Sequence, residues 1–284
     1  MQYNKNMDQR EIKMFISTKI QELPFKIVAC ALFGSWAKGS PREESDVDLL
    51  IVMDKVYPER DKRIPDIIHI KRVLAPDLPL DILLMTRKEC QDNFRNHNPL
   101  FLDIAIEGII LFDTDRFLQN LIDETKAYIR EKGLTRLPDG WQFPVRYREA
   151  TPLSQVTNRD FAQAMLCDGQ RDFASGIILT KAGYFEKAVY HFQQATEKAM
   201  KSALIIFGAF KKSHFVSQDL RNIARKQPID EEWKKKLTLI ATIGETMEPE
   251  VTLSRYPTLN GNHLSIPYEE YTLDDAQKAQ EQAG

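Results

Sequence analysis

The sequence has few of the residues that build disulfide-rich, zinc-binding or membrane-spanning proteins. Its three cysteines, Cys30, Cys90 and Cys167, stand far apart and outside any CxxC or Cys/His cluster. Free, buried thiols are therefore expected, and neither a disulfide framework nor a zinc site is indicated. No apolar run approaches the length of a membrane span, and the first residues are polar and charged. These absences predict a cytoplasmic protein.

An excess of charge of one sign is also missing. The chain has 39 Lys and Arg residues against 41 Asp and Glu residues, which gives a net charge of −2. Attraction of the whole molecule to nucleic acid or to an anionic membrane is therefore not indicated, although a local basic patch remains open. With 284 residues, of which 43% are hydrophobic, the chain is long enough for two domains that each bury a core.

Short apolar runs alternate with helical patterns in the first part of the chain. The runs at residues 26–33, 47–53 and 80–85 are rich in β-forming residues and predict strands that are covered on both faces. Between and after them, apolar residues recur at helical spacing. This alternation predicts an α+β unit, in which an α/β-type domain is built on a small mixed sheet.

The second part of the chain is different in character. Residues 133–152 contain two glycines and three prolines and predict a linker; within it, Trp141 and Phe143 are interpreted as docking the two halves together. From residue 157 onward, three long stretches show helical spacing and no strand is indicated. We therefore predict a first domain over residues 1–150, linker included, followed by an all-α helical bundle over residues 151–284.

The stretch LFGSWAKGSPREESDVDLLIV places two acids at the start of a buried strand. Asp46 and Asp48 alternate, so both side chains point to one face, about 7 Å apart along the strand. Asp81 begins another strand that could pair beside the first. Three carboxylates on one face repel one another unless a cation shares the site, and Mg²⁺ binds through a few carboxylates plus substrate phosphates. Two acids near a turn are also common on solvated loops. The interpretation therefore depends on the whole arrangement of strand, Gly-Ser pair, paired acids and a third acid on a later strand.

Gly34 and Ser35 follow the first strand directly. Glycine lets the backbone approach a phosphate closely, while backbone amides and the serine hydroxyl donate to it. Lys38 and Ser45 could supply further donors. A Gly-Ser pair for a triphosphate together with paired acids for a metal is the chemistry of phosphoryl or nucleotidyl transfer.

At roughly residues 25–112 the sequence resembles the DNA polymerase β-like nucleotidyltransferase superfamily in its minimal form. The family pattern is a Gly-Ser pair, a basic residue in a short loop, Ser-Asp-x-Asp on a strand and a further acid on a later strand. Lys38 stands where a basic residue, often arginine, is usual.

The resemblance implies that Asp46 and Asp48 hold two Mg²⁺ ions, that Asp81 is the third acid, and that Gly34 and Ser35 engage the nucleoside triphosphate. Whether Asp81 is a metal ligand or the general base remains open. The candidate residues are the carboxylates Asp46, Asp48 and Asp81 as metal ligands and catalytic groups, with Gly34, Ser35, Lys38 and Ser45 for the nucleotide.

The C-terminal half has its own resemblance. The segments GYFEKAVYHFQQATEKAMKSALIIFG, SHFVSQDL and SRYP are similar to HEPN domains, helical bundles fused to or encoded beside minimal nucleotidyltransferases. Some HEPN proteins are RNases with an Arg, four to six residues and then a His. Here Arg255 precedes His263 by eight positions, and Arg221 has no such His after it. RNase activity is therefore not expected.

These patterns together predict an Mg²⁺-dependent nucleotidyltransferase. It would move a nucleoside monophosphate, AMP from ATP, onto a hydroxyl acceptor and release pyrophosphate, with the HEPN-like half completing the substrate cleft. The rival interpretations are a regulatory module of the toxin–antitoxin type and a HEPN ribonuclease. The sequence leaves open whether the acceptor is a small molecule, a protein or RNA, and whether the chain forms a homodimer.

Overall fold

The structure, a computed structural model, describes residues 8–42, 45–59, 61–75, 78–146, 149–261 and 263–284. Glu43 and Glu44 of the acidic stretch, and Tyr147 and Arg148 of the predicted linker, lie outside these residues. The chain divides into two compact units, Met1–Lys132 and Gly133–Gly284.

The first unit alternates strands with helices. Its elements are α1 (Gln9–Lys19), β1 (Ile27–Phe33), the single turn α2 (Gly34–Ala37), β2 (Val47–Met53), α3 (Ile64–Leu74), β3 (Leu80–Thr86), α4 (Arg87–Arg95), α5 (Pro99–Glu107), β4 (Ile109–Asp113) and α6 (Phe117–Lys132). The strands form one sheet in the order β3-β2-β1-β4, in which β2 and β3 run parallel and the other pairs antiparallel. The small mixed sheet predicted from the sequence is confirmed.

The central strands are apolar throughout because both faces of the sheet are covered. On one face, Leu32 and Leu49 pack with the buried side chains of α1 and α3. On the other face, Ala31 and Leu50 pack with α4, α5 and α6. A fully buried aliphatic side chain of this size contributes roughly 1.5–3 kcal/mol, so the two layers fix β1 and β2, and with them the strand ends that carry the acids.

Helix α4 was not predicted, because it begins directly at the end of β3 without a turn residue between them. Thr86 and Glu89 form a capping box at this junction. The Thr86 hydroxyl accepts from the Glu89 amide at 3.1 Å, and the Glu89 carboxylate accepts from the Thr86 amide at 2.9 Å. Helix α3 begins at Ile64, directly after the 3₁₀ turn Asp61–Arg63.

The second unit is mainly helical. Its elements are β5 (Thr135–Leu137), β6 (Gly140–Gln142), α7 (Asn158–Lys181), α8 (Phe185–Ile206), β7 (Ala209–Lys211), α9 (Ser217–Lys226), α10 (Glu231–Met247), α11 (Glu250–Leu253), β8 (Thr258–Asn260), β9 (His263–Ser265), α12 (Pro267–Glu270) and α13 (Leu273–Ala283). The long helices α7 and α8 pack along each other, and α9, α10 and α13 pack against α8. The predicted helical bundle is confirmed, with two small sheets added to it, β5-β6-β7 and β8-β9.

Part of the predicted linker belongs to the fold of the second unit. Strand β6 pairs with β7, with Trp141 opposite Phe210, and the Phe143 ring centroid lies 5.1 Å from that of Phe210. Trp141 is buried. Of the two residues interpreted as docking the halves together, Trp141 thus belongs to the second unit's own sheet, and Phe143 packs against that sheet.

The cysteines are free thiols, as expected, but they are not all buried. Cys30 and Cys90 are buried, whereas Cys167 on α7 is exposed, so the expectation of a buried thiol is wrong there. Burial raises the pKa of Cys30 to about 12. None of the described helices combines the length and the apolar composition needed to cross a bilayer.

Candidate functional site

The predicted acids come together at one end of the sheet. Asp48 is the second residue of β2 and Asp81 is the second residue of β3, and the parallel register sets the two directly beside each other. Asp46 lies just before β2, and its negative charge is close enough to affect Asp48. The pairing of β2 with β3 therefore brings three carboxylates together. The first and the last of them, Asp46 and Asp81, are 35 positions apart in the sequence.

The carboxylates affect one another electrostatically. The pKa of Asp48 is raised, first because partial burial penalises its charged form and then because the negative charges of Asp81 and Asp46 lie close to it. Asp48 is half-buried, whereas Asp46 and Asp81 are exposed. Both partial burial and the neighbouring carboxylates thus disfavour the charge on Asp48, and a bound cation would relieve this.

Gly34 is held against the Asp48 carboxylate. It follows β1, whose last residue, Phe33, pairs with Asp48 across the sheet. Gly34 has φ +69°, and a Cβ added to it would lie 2.0 Å from Asp48 Oδ2. Glycine is thus required here both by the backbone conformation and by the acid beside it. From the sequence, this glycine was predicted only to let the backbone approach a phosphate; its close approach to Asp48 is seen only in the structure.

The other predicted nucleotide-binding residues lie in the turn that joins β1 to β2. Ser35 is in α2. Ser45 closes the loop, because its hydroxyl accepts from the Arg42 amide at 2.8 Å and its carbonyl accepts from Trp36 Nε1 at 3.1 Å. Lys38 is exposed, and its ammonium lies 3.4 Å from the Glu107 carboxylate. The structure thus gives Ser45 a role in loop geometry and gives Lys38 an acidic partner within the chain.

A pocket of about 430 Å³ opens beside the acids. Two of the acids and two cations line it, with an apolar floor: Asp46, Asp81, Lys71, Arg72, Ala75, Leu78, Pro79 and Leu80. Lys71 and Arg72, in the last turn of α3, were missed from the sequence. The sequence did contain a signal for them: two adjacent basic residues at the end of a helical pattern that directly precedes the strand of Asp81.

The donor set suits a hard divalent cation. Carboxylate oxygens are the protein ligands that Mg²⁺ prefers, and it keeps water or phosphate oxygens for its remaining positions. Within the described ranges, no three His, Cys, Asp or Glu side chains form a group that could hold a metal ion. The ligand set Asp46, Asp48 and Asp81 therefore stays a prediction, for a site in which phosphate oxygens complete the coordination.

In the second unit, the residues considered for an RNase motif have separate partners. The Arg255 guanidinium lies 5.0 Å from the ring centroid of Tyr190 and 4.8 Å from that of Tyr256. His263 Nε2 lies 3.6 Å from a Glu270 carboxylate oxygen. Arg255 and His263 are thus each engaged in contacts of their own within the second unit.

Comparison with known proteins gives a corresponding division of the chain. The family described as "Polymerase beta, Nucleotidyltransferase" matches residues 12–117, and the family described as "HEPN domain" matches residues 162–284. The two family matches coincide with the sheet-containing unit and the helical unit respectively.

Three proteins of Methanocaldococcus jannaschii are similar to parts of the chain. One, named "Putative toxin MJ1304", is 33% identical over 121 residues, which are 43% of this chain and 80% of that protein. "Putative protein adenylyltransferase MJ1305" is 26% identical over 131 residues, 44% of this chain and 87% of that protein. "Putative protein adenylyltransferase MJ1379" is 33% identical over 95 residues, 33% of this chain and 84% of that protein. The chain is therefore a nucleotidyltransferase of the polymerase β family joined to a member of the HEPN family.

Proposed function

We propose that the first unit is an Mg²⁺-dependent adenylyltransferase, which moves AMP from ATP to a hydroxyl group and releases pyrophosphate. The observation that supports this best is the register of β2 and β3. It sets Asp48 beside Asp81, with the charge of Asp46 close to Asp48 and the Gly-Ser turn next to Asp48. Carboxylates for a metal and a glycine turn for phosphates then meet at one strand end.

Asp46, Asp48 and Asp81 are the residues that would hold Mg²⁺. Bound there with the triphosphate, the metal would stabilise the negative charge on the attacking and leaving oxygens. The pKa of Asp48 is raised by its partial burial and then by the charges of Asp81 and Asp46; a bound cation would offset both effects, so metal binding and ionisation of Asp48 favour each other.

The chain's own residues would position the reactants and take up the proton. Gly34 and Ser35 direct backbone amides and a hydroxyl toward the phosphates, in the turn beside Asp48. Asp81 is exposed at the pocket and would either complete the metal ligand set or accept the proton of an incoming hydroxyl group. In the transfer, that oxygen forms a bond to the α-phosphorus, the bond from the α-phosphorus to the bridging oxygen breaks, and pyrophosphate leaves.

A protein is the acceptor class that we propose. Two relatives are named as protein adenylyltransferases, and the pocket beside Asp81 is open enough to admit a side chain with its neighbouring backbone. The acceptor atom would then be a serine, threonine or tyrosine hydroxyl oxygen.

Pyrophosphate release with a panel of nucleotides tests this proposal. We expect the full chain, with Mg²⁺ and a mixture of peptides that contain Ser, Thr and Tyr, to release pyrophosphate fastest from ATP. Omission of Mg²⁺ should reduce the rate at least about a hundredfold, because the charge stabilisation is worth several kcal/mol. Equal release without Mg²⁺, or release by the Asp46→Asn, Asp48→Asn double variant, would contradict the proposal.

A second function, of the toxin–antitoxin type, is supported by the relative named as a toxin. In this form, the nucleotidyltransferase unit would restrain or modify the HEPN unit. Since Arg255 and His263 have separate partners, we expect the full chain not to cleave RNA, with or without ATP and Mg²⁺. Cleavage of a labelled RNA that is lost on Arg255→Ala would show a ribonuclease instead.

A further inference from the structure

The pocket beside the acids contains two cationic side chains, Lys71 and Arg72, that do not pair with other described side chains. Lys71 is half-buried and Arg72 is exposed, and across the described part of the chain neither side chain forms a hydrogen bond or an ion pair. Nearby cations differ: Arg63 pairs with Glu89, and Lys38 with Glu107. The pocket thus presents two positive charges to whatever enters it.

Lys71 and Arg72 lie in the last turn of α3, but a location at the end of a helix does not by itself account for their presence in the pocket. Basic residues in the last turn of a helix are stabilised by the helix dipole. Arg130 and Lys132 have the same position in α6 and do not line the pocket. Lys71 and Arg72 differ from that pair because they share a concave surface with Asp46 and Asp81.

The strand order separates the pocket from the Gly-Ser turn. That turn leaves β1, on one side of β2, whereas Asp81 and the pocket lie on β3, on the other side. A nucleotide whose phosphates lie at the Gly-Ser turn has its α-phosphorus near the acids of β2. The pocket lies on the β3 side of these acids, and a group that enters it lies beside Lys71 and Arg72.

We propose that Lys71 and Arg72 bind acidic side chains of a protein acceptor, so that its hydroxyl group enters the pocket beside Asp81. This inference rests on the adenylyltransferase function proposed above and adds the acceptor's chemistry to it. Each cation forms a charge-assisted hydrogen bond with a carboxylate of the acceptor. The apolar floor receives the aliphatic or aromatic part of the hydroxyl-bearing side chain.

The surroundings favour a polypeptide over a nucleic acid. The pocket holds only two cations, Lys71 and Arg72, which match two separate carboxylates of a polypeptide, whereas a nucleic-acid backbone is bound through a longer series of phosphate contacts. β3 is the edge strand of the sheet. At its far end the edge is covered, because Arg63 Nη1 donates to the Leu84 carbonyl at 3.1 Å. At the pocket end no described strand pairs with it, and an extended polypeptide can use such backbone groups.

Binding of defined probes to the full chain tests the inference. Three fluorescein-labelled peptides share one hydroxyl-containing core and differ only in their flanks, which are Glu, Gln or Lys; an oligonucleotide with a 3′-hydroxyl is the fourth probe. Anisotropy is measured with Mg²⁺ and a non-hydrolysable ATP analogue. We expect the Glu peptide to bind about tenfold more tightly than the Gln peptide. Lys71→Gln, Arg72→Gln should abolish this preference, whereas the exchanged pair Lys71→Arg, Arg72→Lys should keep it.

The matched control is Arg130→Gln, Lys132→Gln, which removes two exposed charges from the last turn of α6 and should leave the preference unchanged. Equal affinity for the Glu and Gln peptides, or a preference that survives Lys71→Gln, Arg72→Gln, would overturn the inference. Tighter binding of the oligonucleotide that depends on the same two residues would also overturn it, in favour of a nucleic-acid acceptor. Pyrophosphate release, measured in parallel, reports separately on the proposed function: its loss with the peptide preference intact would contradict that function alone.

Discussion

Replacing Asp48 with Asn should lower the rate of nucleotidyl transfer at least about a thousandfold. The substitution keeps the shape of the side chain but removes the carboxylate that lies beside Asp81 in the register. The charge stabilisation that a metal supplies is worth several kcal/mol, and about 1.4 kcal/mol corresponds to a factor of ten in rate. Pyrophosphate release from Mg·ATP measures the effect. A variant that retains more than a tenth of the wild-type rate would contradict the role assigned to Asp48.

The same substitution should stabilise the protein in the absence of metal. Because the pKa of Asp48 is raised in the folded state, the folded chain holds this proton more tightly than the unfolded chain does. Below the ordinary Asp pKa both states are protonated and Asp48 has no effect; as the pH rises, its contribution becomes destabilising until the folded pKa is passed, and is then constant. Asp48→Asn should therefore raise the melting temperature at pH 7 and leave it nearly unchanged at about pH 3.

An exposed carboxylate provides the control for this pH dependence. Glu131→Gln, at the end of α6, should not reproduce the gain at pH 7. Added Mg²⁺ should stabilise the wild type and have little effect on Asp48→Asn, since the ligand is lost. A melting temperature at pH 7 that falls in Asp48→Asn without metal would contradict the electrostatic account of the site.

Gly34→Ala should inactivate the enzyme even though only one methyl group is added. The new Cβ would lie 2.0 Å from Asp48 Oδ2, so the carboxylate or the turn must move. The positive φ of +69° adds roughly 1–2 kcal/mol of backbone strain for a residue with a Cβ. We expect a loss of activity close to that of Asp48→Asn, together with a lower melting temperature.

A substitution at a second glycine distinguishes the effect of backbone strain from the effect of displacing the Asp48 carboxylate. Gly133 has φ +67°, and a Cβ there meets nothing within 4 Å. Gly133→Ala should therefore lose similar stability from the backbone but retain activity. If Gly34→Ala remains as active as Gly133→Ala, the contact between Gly34 and Asp48 is not important for the reaction.

The main strands and long helices could be predicted because their burial leaves a regular pattern. The runs at β1 and β2 are apolar on both faces since helices cover both, and the long stretch α8 shows a helical stripe. Elements without such a period were missed. The strands of the second unit have three residues each, which is too short for alternation to be visible. Helix α4 begins at a capping box fused to a strand end.

The candidate site, too, could be predicted from the sequence only in part. Sequence spacing alone predicts Asp46 and Asp48 on one face of a strand, although in the structure β2 begins at Val47, between them. The register that sets Asp48 beside Asp81 depends on pairing between strands that are separated by α3, and no local pattern specifies it. Nor does sequence show that Gly34 contacts Asp48, or that Lys71 and Arg72 line a pocket with Asp81, since these contacts arise from packing.

The fate of labelled phosphorus tests the central claim most directly. The full chain is incubated with Mg²⁺ and the mixture of peptides that contain Ser, Thr and Tyr, with ATP labelled at the α-phosphorus in one reaction and at the γ-phosphorus in another. The account predicts α-label on peptide and γ-label only in released pyrophosphate, with both lost in the Asp46→Asn and Asp48→Asn variants. Label from the γ-phosphorus on peptide, or transfer of α-label that persists in those variants, would contradict it.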